Sequence, residues 1–172
     1  MTTQLQFALQ SPLSVVPEWR SVPKAHPRLV ALADHHYTRE QPGTSQFTRP
    51  GVNYALLLSD GSAGWVVWRP IPQIGRMDAL EAWECTFFRN EGARLSSRLI
   101  VEATDLTYRA WGWAPRDGLI TAVGIEETRR RRSKRHPPGW CFRCAGWTCT
   151  HERDGKAWFS APPPVRMQER SK

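Results

Sequence analysis

Long apolar segments are missing from this sequence. No apolar run approaches the roughly 20 residues that a helix needs to cross a bilayer. The first residues, Met1 to Gln6, hold no basic segment followed by an apolar one, the pattern that directs secretion. We therefore expect a cytoplasmic protein that does not act in a membrane, and its four cysteines are then reduced.

Acidic residues are few beside the basic ones. The 172-residue chain has 16 Asp and Glu against 24 Lys and Arg, which gives a formal net charge of +8 and a pI near 9.9. A basic balance favours polyanionic partners, nucleic acid first, although simple solubility explains it equally well. Nine tryptophans suit base stacking, with core packing as the alternative role for most of them.

A second Cys-x-x-Cys pair is also absent. Cys141, Cys144, Cys149 and His151 have the spacing of a partial zinc site. However, a helix over this segment would place Cys141 and Cys144 one turn apart, and free cysteines are among the most buried residue types. We interpret them as packed thiols, so zinc is not expected.

The length of the chain and its apolar patterns predict one domain over residues 1–172 that contains both strands and helices, an α/β (α+β) fold. Residues 13–23 and 41–53 read as irregular, residues 126–138 as a basic loop, and the tail from about 162 as flexible. The predicted helices cover residues 27–40, 96–111 and 140–147. The predicted strands cover residues 5–9, 54–58, 64–69, 80–88, 119–123, 148–153 and 156–160.

The stretch from Leu80 to Gly112 reads as a strand, a polar elbow and a helix. Ser96 or Ser97 can cap the helix at its start, and Gly112 can end it. A helix N-terminus carries partial positive charge and free N–H groups, so this elbow suits a phosphate or pyrophosphate. The alternative is an ordinary connection with arginines on its surface.

Other chemistry-bearing residues lie along the chain. His36 and Tyr37 can bind metal or transfer protons, and Glu84 can be a buried general base or can pair with an arginine. Arg49 lies in the long loop and can approach a phosphate. A basic segment follows, almost uninterrupted, with Arg129, Arg130, Arg131, Arg132, Lys134 and Arg135. Such a run is typical of a solvated or disordered arm that binds nucleic acid.

The elbow resembles the acyl-CoA pyrophosphate loop of the GCN5-related N-acetyltransferases (the GNAT fold). The run Arg89-x-x-Gly92-x-Arg94 matches a loop of the form Arg/Gln-x-x-Gly-x-Gly/Ala, with Arg94 or Ser96 where that family prefers a second glycine. The segment Cys141 to Trp147 resembles the short helix that precedes the family's last two strands. The resemblance implies a single GNAT-like domain with a mixed, mostly antiparallel central sheet flanked by helices. It also implies that acetyl-CoA or a related acyl-CoA is bound by Phe88, Arg89, Asn90, Gly92, Arg94, Ser96 and Ser97.

A narrower resemblance is to phage proteins related to Mom. It is carried by His36-Tyr37, by Phe47 to Gly51, by Phe88 to Glu91 with the paired serines, and by Pro138 to Trp147. That family modifies adenine in DNA at N6 with a carbamoylmethyl group and protects phage DNA against restriction. The resemblance implies double-stranded DNA as partner, His36, Tyr37 and Glu84 as candidate catalytic residues, iron held by His36 and Tyr37, and the host cytoplasm as location.

Two alternatives stay open from the sequence. One is a CoA-dependent N-acetyltransferase for a small-molecule or protein amine. The other is a non-catalytic DNA-binding protein that has kept the fold and lost the cofactor site, which Arg94 and Ser96 in place of glycine would fit. A homodimer is compatible with either.

Overall fold

A computed structural model describes residues 18–73, 75–131 and 136–163. The predicted strand at 5–9, the end of the tail and Arg132, Lys134 and Arg135 lie outside them. The strands are β1 Trp19–Ser21, β2 Val52–Leu58, β3 Ala63–Arg69, β4 Trp83–Asn90, β5 Leu119–Gly124, β6 Thr148–Arg153 and β7 Lys156–Ala161. The helices are α1 Pro27–Asp34, α2 Ser96–Trp111, α3 Ile125–Arg131 and α4 Trp140–Cys144.

All seven of these strands form one sheet in the order β1-β2-β3-β4-β5-β7-β6. Neighbouring strands are antiparallel except β4 and β5, which are parallel and pair only at Trp83–Leu119 and Glu84–Ile120. Beyond Glu84 the two strands part. The predicted mixed, mostly antiparallel sheet is thereby confirmed, and it has an opening in its middle.

A β-bulge lies in β4 at the start of this opening. Val67 pairs with Cys85 and Val66 with Phe87, so Thr86 is an extra residue with no partner of its own in β3. Because the side chains of a strand alternate between faces, one extra residue reverses the alternation beyond it. Cys85 therefore lies on the same face as Phe88, while Phe87 lies on the other.

The two faces of the sheet carry separate apolar clusters, covered by different helices. On one face, α1 packs through Leu29, Leu32 and Ala33 on buried residues of β2, β3 and β4. On the other, α2 and α4 pack on a larger cluster that includes Trp65, Trp83 and Phe159. No helix in the described part of the chain has the length and apolar character to cross a membrane.

Helix α1 is shorter than predicted. The prediction of a helix over residues 27–40 was wrong beyond Asp34, where α1 ends. Pro27 does begin the helix. At its end, the Asp34 carboxylate accepts hydrogen bonds from the Gly43 N–H (3.0 Å) and from Arg39 Nε (2.7 Å). A side chain that binds the following loop competes with helix continuation, so His36 and Tyr37 lie in a turn after the helix.

The prediction of a loop at 126–138 and of a disordered basic arm was also wrong for its first part, where α3 forms. The helix follows β5 without a break, and the Thr128 hydroxyl donates to the Gly124 carbonyl at 2.6 Å. Glu126 and Glu127 occupy the first turn. Acidic residues in the first turn of a helix and arginines in its last turn interact favourably with the helix dipole. This charge pattern is visible in the sequence and indicated a helix.

Two smaller predictions differ as well. Residues 19–21, read as irregular, form β1 at the sheet edge. Neither Ser96 nor Ser97 caps α2, since its N-cap residue is Leu95 and no side chain makes a cap hydrogen bond. Gly112 does end the helix, in the left-handed conformation (φ 68°) that glycine adopts at low cost.

Candidate functional site

Two cavities meet where β4 and β5 part. The first, of about 220 Å³, extends from the opening to the start of α2 under α4, and we call it the cleft pocket. The second, of about 600 Å³, lies on the α1 side under the loop of residues 38–49, and we call it the loop pocket. Their shared wall consists of His36, Tyr37, Thr38, Cys85, Thr86, Phe87 and Ala122.

The shared wall brings together residues that are distant in sequence. His36, Tyr37 and Thr38 reach it because α1 stops early. Thr86 reaches it because the bulge leaves it outside the regular pairing, and bulges are common next to active sites. A ligand in either cavity can therefore contact the same short segment of β4.

Tyr37 is the most constrained of the candidate catalytic residues. Its hydroxyl oxygen accepts a hydrogen bond from the Gly124 N–H at 2.9 Å. Burial raises the pKa of Tyr37, the Gly124 amide opposes that rise, and the negative charge of Glu127 adds to it. The phenol is therefore neutral at physiological pH, and its own proton remains available for donation.

His36 packs directly on Tyr37. The two rings stack with centroids 4.5 Å apart, and His36 meets Phe87 edge-on at 5.3 Å. Its Nδ1 lies 2.8 Å from the Thr38 hydroxyl. The structure thus brings together the His-Tyr pair that the sequence singled out, at the boundary of the two cavities.

Gly124 holds Tyr37 and Glu127 side by side. A Cβ atom at this glycine would lie 2.4 Å from Glu127 Oε2 and 2.9 Å from Tyr37 Cε2. Both side chains therefore touch its α-carbon, and both line the cleft pocket. Sequence reasoning missed Glu127 as a site residue, because its position depends on α3 following β5 directly.

The elbow between β4 and α2 folds around Asn90. The Asn90 amide nitrogen donates to the Arg94 carbonyl (2.7 Å) and to the Ser96 hydroxyl (3.1 Å), and its oxygen accepts from the Gly92 N–H (2.9 Å). A side chain at Gly92 would meet Ser62 at 2.7 Å, so protein packing already requires this glycine. Of the residues predicted to bind a cofactor, the cleft pocket contains Phe88, Arg89, Asn90 and Ser96, whereas Gly92, Arg94 and Ser97 lie outside its lining.

The elbow arginines are already paired with carboxylates. Arg89 donates to Glu91 at 2.7 Å and to the His35 carbonyl at 2.6 Å, and Arg94 donates to Glu102 at 2.6 Å. The pKa of the Glu91 carboxyl is lowered to about 2. The hydrogen bond with His35 is the largest cause, and the hydrogen bond from Arg89 is the next. A phosphate would therefore compete with Glu91 for Arg89.

Glu84 lies between two guanidinium groups in the wall of the loop pocket. Arg49 donates to its carboxylate, and Arg76 donates to the same oxygen at 3.0 Å. Arg76 is buried and also binds Asp78. Of the two roles left open by the sequence, the structure shows the ion pair, and Glu84 anchors the long loop through Arg49.

The basic residues divide between the loop and α3. Arg49 lies over the Trp68 ring, with its Cζ 4.5 Å from the ring centroid, and its side chain is 56% exposed. Arg129, Arg130 and Arg131 lie in α3 beside the opening of the sheet. The loop pocket also contains Lys156 and Trp158 of β7, which sequence reasoning did not single out.

The iron site that the resemblance implies has no complete ligand set in the described residues. No group of three or more His, Cys, Asp or Glu side chains is arranged there to hold an ion. His36 and Tyr37 are adjacent, but the Tyr37 oxygen already accepts the Gly124 N–H. These residues do not fit an iron centre as they stand, and we assign no step to iron.

One wall of the cleft pocket is the edge of β4 beyond its ladder with β5. The Thr121 hydroxyl donates to the Cys85 carbonyl on this edge at 2.8 Å, and a chain with amide groups can hydrogen-bond to the backbone groups of a strand edge that remain open. Burial raises the pKa of the Cys85 thiol well above its usual value, so this cysteine is an inert part of the wall. Ser96 brings the positive end of α2 to the far end of the pocket.

Comparison with protein-family models, with curated proteins and with solved structures finds no match to this chain.

Proposed function

We propose that the protein is a transferase that moves an acyl-type group from a coenzyme A thioester to an amine, with N6 of adenine in DNA as the acceptor. The observation that carries the proposal is the edge of β4 that β5 leaves beyond Glu84, with a cavity on each side of it. A donor and an acceptor in the two cavities would meet at the same wall. This arrangement fits the resemblance of the chain to the GNAT fold and, within it, to Mom-like phage proteins.

The donor belongs to the cleft pocket. The pantetheine arm of coenzyme A is narrow and carries two amides, which suits an open strand edge in a cavity of about 220 Å³. Its pyrophosphate would lie near Asn90 and Ser96 at the start of α2, where backbone N–H groups favour an anion. Arg89 would join it by leaving Glu91.

The acceptor belongs to the loop pocket, which is the larger of the two. The amine of adenine is a weak nucleophile because its lone pair is delocalised into the ring. In an acyl transfer the nitrogen forms a bond to the thioester carbonyl, the carbon–sulfur bond breaks, and the amine loses a proton. Tyr37 is placed to donate a hydrogen bond to the carbonyl oxygen or to the departing sulfur, because its hydroxyl proton is available.

Adenine inside a duplex cannot reach this wall, so the base must leave the helix. Unstacking costs a few kcal/mol, which phosphate contacts and aromatic stacking can offset. The arginines of α3, a helix that begins directly after β5, are our candidates for those phosphate contacts. Modified adenine would protect the DNA of a phage against restriction, with the host cytoplasm as the location.

Mass spectrometry of nucleosides tests this proposal. DNA from cells expressing the protein should contain an adenosine derivative of increased mass. The mass of an acyl group would match the transfer step above, and that of a carbamoylmethyl group would show that N6 is alkylated by a different step. The Tyr37→Phe protein should yield far less of it. An unchanged adenine profile, with folded protein in the cells, would reject adenine as the acceptor.

Two other functions have specific observations in their favour. The pairing of Arg89 and Arg94 with carboxylates fits a non-catalytic DNA-binding protein, which would bind DNA in a salt-dependent way and gain no thermal stability from coenzyme A. The open loop pocket also fits an acetyltransferase for another amine. Acetyl-CoA turnover without any DNA requirement would identify that activity.

A further inference from the structure

Strand β7 presents two side chains to the loop pocket. Along this strand Ala157 and Phe159 point into the core and are almost completely buried. The alternate residues, Lys156 and Trp158, therefore lie on the opposite face, and both line the loop pocket. One is a cation and the other an aromatic ring, two residues apart on a rigid strand.

The Trp158 ring is held in a fixed plane. It stacks on His151 of β6, with ring centroids 5.8 Å apart and an angle of 8° between the planes. The neighbouring hydroxyl of Thr150 lies 3.0 Å from His151 Nδ1 and donates to the Trp158 carbonyl at 3.3 Å. A planar aromatic ring held in this way is a stacking surface for another planar group.

Lys156 carries a charge that no ion pair within the described residues neutralises. It pairs in register with Gly124, the last residue of β5, so it lies next to the start of the basic helix α3. The Ile125 N–H also donates to the Gly155 carbonyl at 2.9 Å. Glu126 and Glu127 occupy the first turn of α3 and its arginines follow them, so Lys156 is a separate positive charge at the loop pocket.

The opposite wall of the loop pocket holds an unpaired donor. The Arg39 side chain is only 3% exposed, and its Nε binds Asp34 at 2.7 Å. Its Nη1 is buried and has no hydrogen-bond partner among the described residues. A buried donor without a partner costs free energy, and the other guanidinium nitrogens of Arg39 bind Asp34 and the Thr44 carbonyl, so this side chain is a fixed part of the pocket wall.

We propose that Lys156 and Trp158 form a nucleotide-binding site, in which the indole stacks on the base of one unpaired nucleotide and the ammonium group contacts its phosphate. The inference rests on the proposed function in taking DNA as the polymer. It adds the residues that hold the extruded nucleotide at the loop pocket. The cavity volume of about 600 Å³ falls within the range of small-molecule sites, about 300–1,000 Å³.

Binding of a short single-stranded DNA oligonucleotide, measured without any acyl donor, tests this site. Trp158→Ala should weaken binding by about 5- to 150-fold, the range for loss of one base stack, and Trp158→Phe should weaken it less. Lys156→Ala should lower the slope of log affinity against log salt concentration by about 0.7, the value for one phosphate contact on a single strand. A 2-aminopurine base in the oligonucleotide should be quenched by the wild type and not by Trp158→Ala.

Arg153→Ala is the matched control, because Arg153 is an exposed cation on the same hairpin, pairs with Asp154 and lies outside the loop pocket. It should leave the 2-aminopurine signal unchanged. Thermal unfolding shows whether each variant is folded. If Trp158→Ala does not fold, Lys156→Ala still tests the nucleotide-binding site.

Wild-type affinity and quenching in both Lys156→Ala and Trp158→Phe would overturn the inference. Equally effective competition by poly-glutamate at the same charge would also overturn it, since the surface would then bind any polyanion. Because the assay uses no donor, a failure of group transfer leaves the result intact. Transfer to DNA with unchanged binding by these variants would reject this site alone.

Discussion

Replacing Glu84 by glutamine separates a structural role from a catalytic one. The carboxylate side chain is 10% exposed and binds both Arg49 and Arg76. Removing one partner of a buried ion pair costs about 3–5 kcal/mol, mainly because the other charge is left buried and unpaired. In the Glu84→Gln protein the charge that loses this partner while buried is that of Arg76, whose side chain is 4% exposed.

Two features reduce this cost. Arg76 keeps its ion pair with Asp78, and Arg49 is 56% exposed, so water can solvate it once the pair is lost. We therefore expect Glu84→Gln to lower the free energy of unfolding by about 2–4 kcal/mol. Urea denaturation monitored by tryptophan fluorescence measures it, with an unchanged slope as the sign that only stability has changed.

Glu102→Gln is the matched control for this measurement. Glu102 pairs with Arg94, but their side chains are 41% and 27% exposed, and surface pairs contribute only about 0–1 kcal/mol. If Glu84→Gln is as stable as Glu102→Gln and yet abolishes group transfer, Glu84 acts as a base and our structural account of it is wrong.

Three further changes test the wall and the core. Tyr37→Phe removes the acceptor for the Gly124 N–H and should lower the free energy of unfolding by about 1–3 kcal/mol in urea denaturation. The pKa of Glu91 is about 2, below its ordinary value; the wild type should lose stability as the pH falls from about 4.5 towards 2, and Glu91→Gln should lose less over that window. Gly64→Ala places a methyl group 2.5 Å from Leu29 Cδ1 and should cost about 1–3 kcal/mol; an unchanged midpoint would contradict the tight packing of α1.

Much of the fold could be predicted from periodicity. The alternation around the Asp60-Gly61 turn gave the β2–β3 hairpin, and the three- and four-residue steps from Leu95 to Ala110 gave α2. The ends of helices were predicted less well where a side chain binds another part of the chain. The end of α1 depends on Asp34 binding Gly43, a contact between residues nine apart that no local pattern contains.

The site was predictable in its parts more than in its arrangement. Asn90, His36 and Tyr37 stood out as polar residues at element ends, and the structure places them on the cavities. Trp158 and Lys156 did not stand out, because their role depends on β7 pairing with β5, which the sequence order does not reveal. The bulge at Thr86 was equally hidden, since it requires the register of two strands.

The separation of β4 from β5 also bears on how the protein avoids self-association. A strand that lacks a neighbour is normally found at the rim of a sheet, where another molecule can dock onto it. Here part of such a strand lies in the interior, between α1 on one face and α4 on the other. This edge is consequently sheltered from other copies of the chain. The Cys85 carbonyl on it accepts from the Thr121 hydroxyl, and only ligands slender enough to enter can reach the rest.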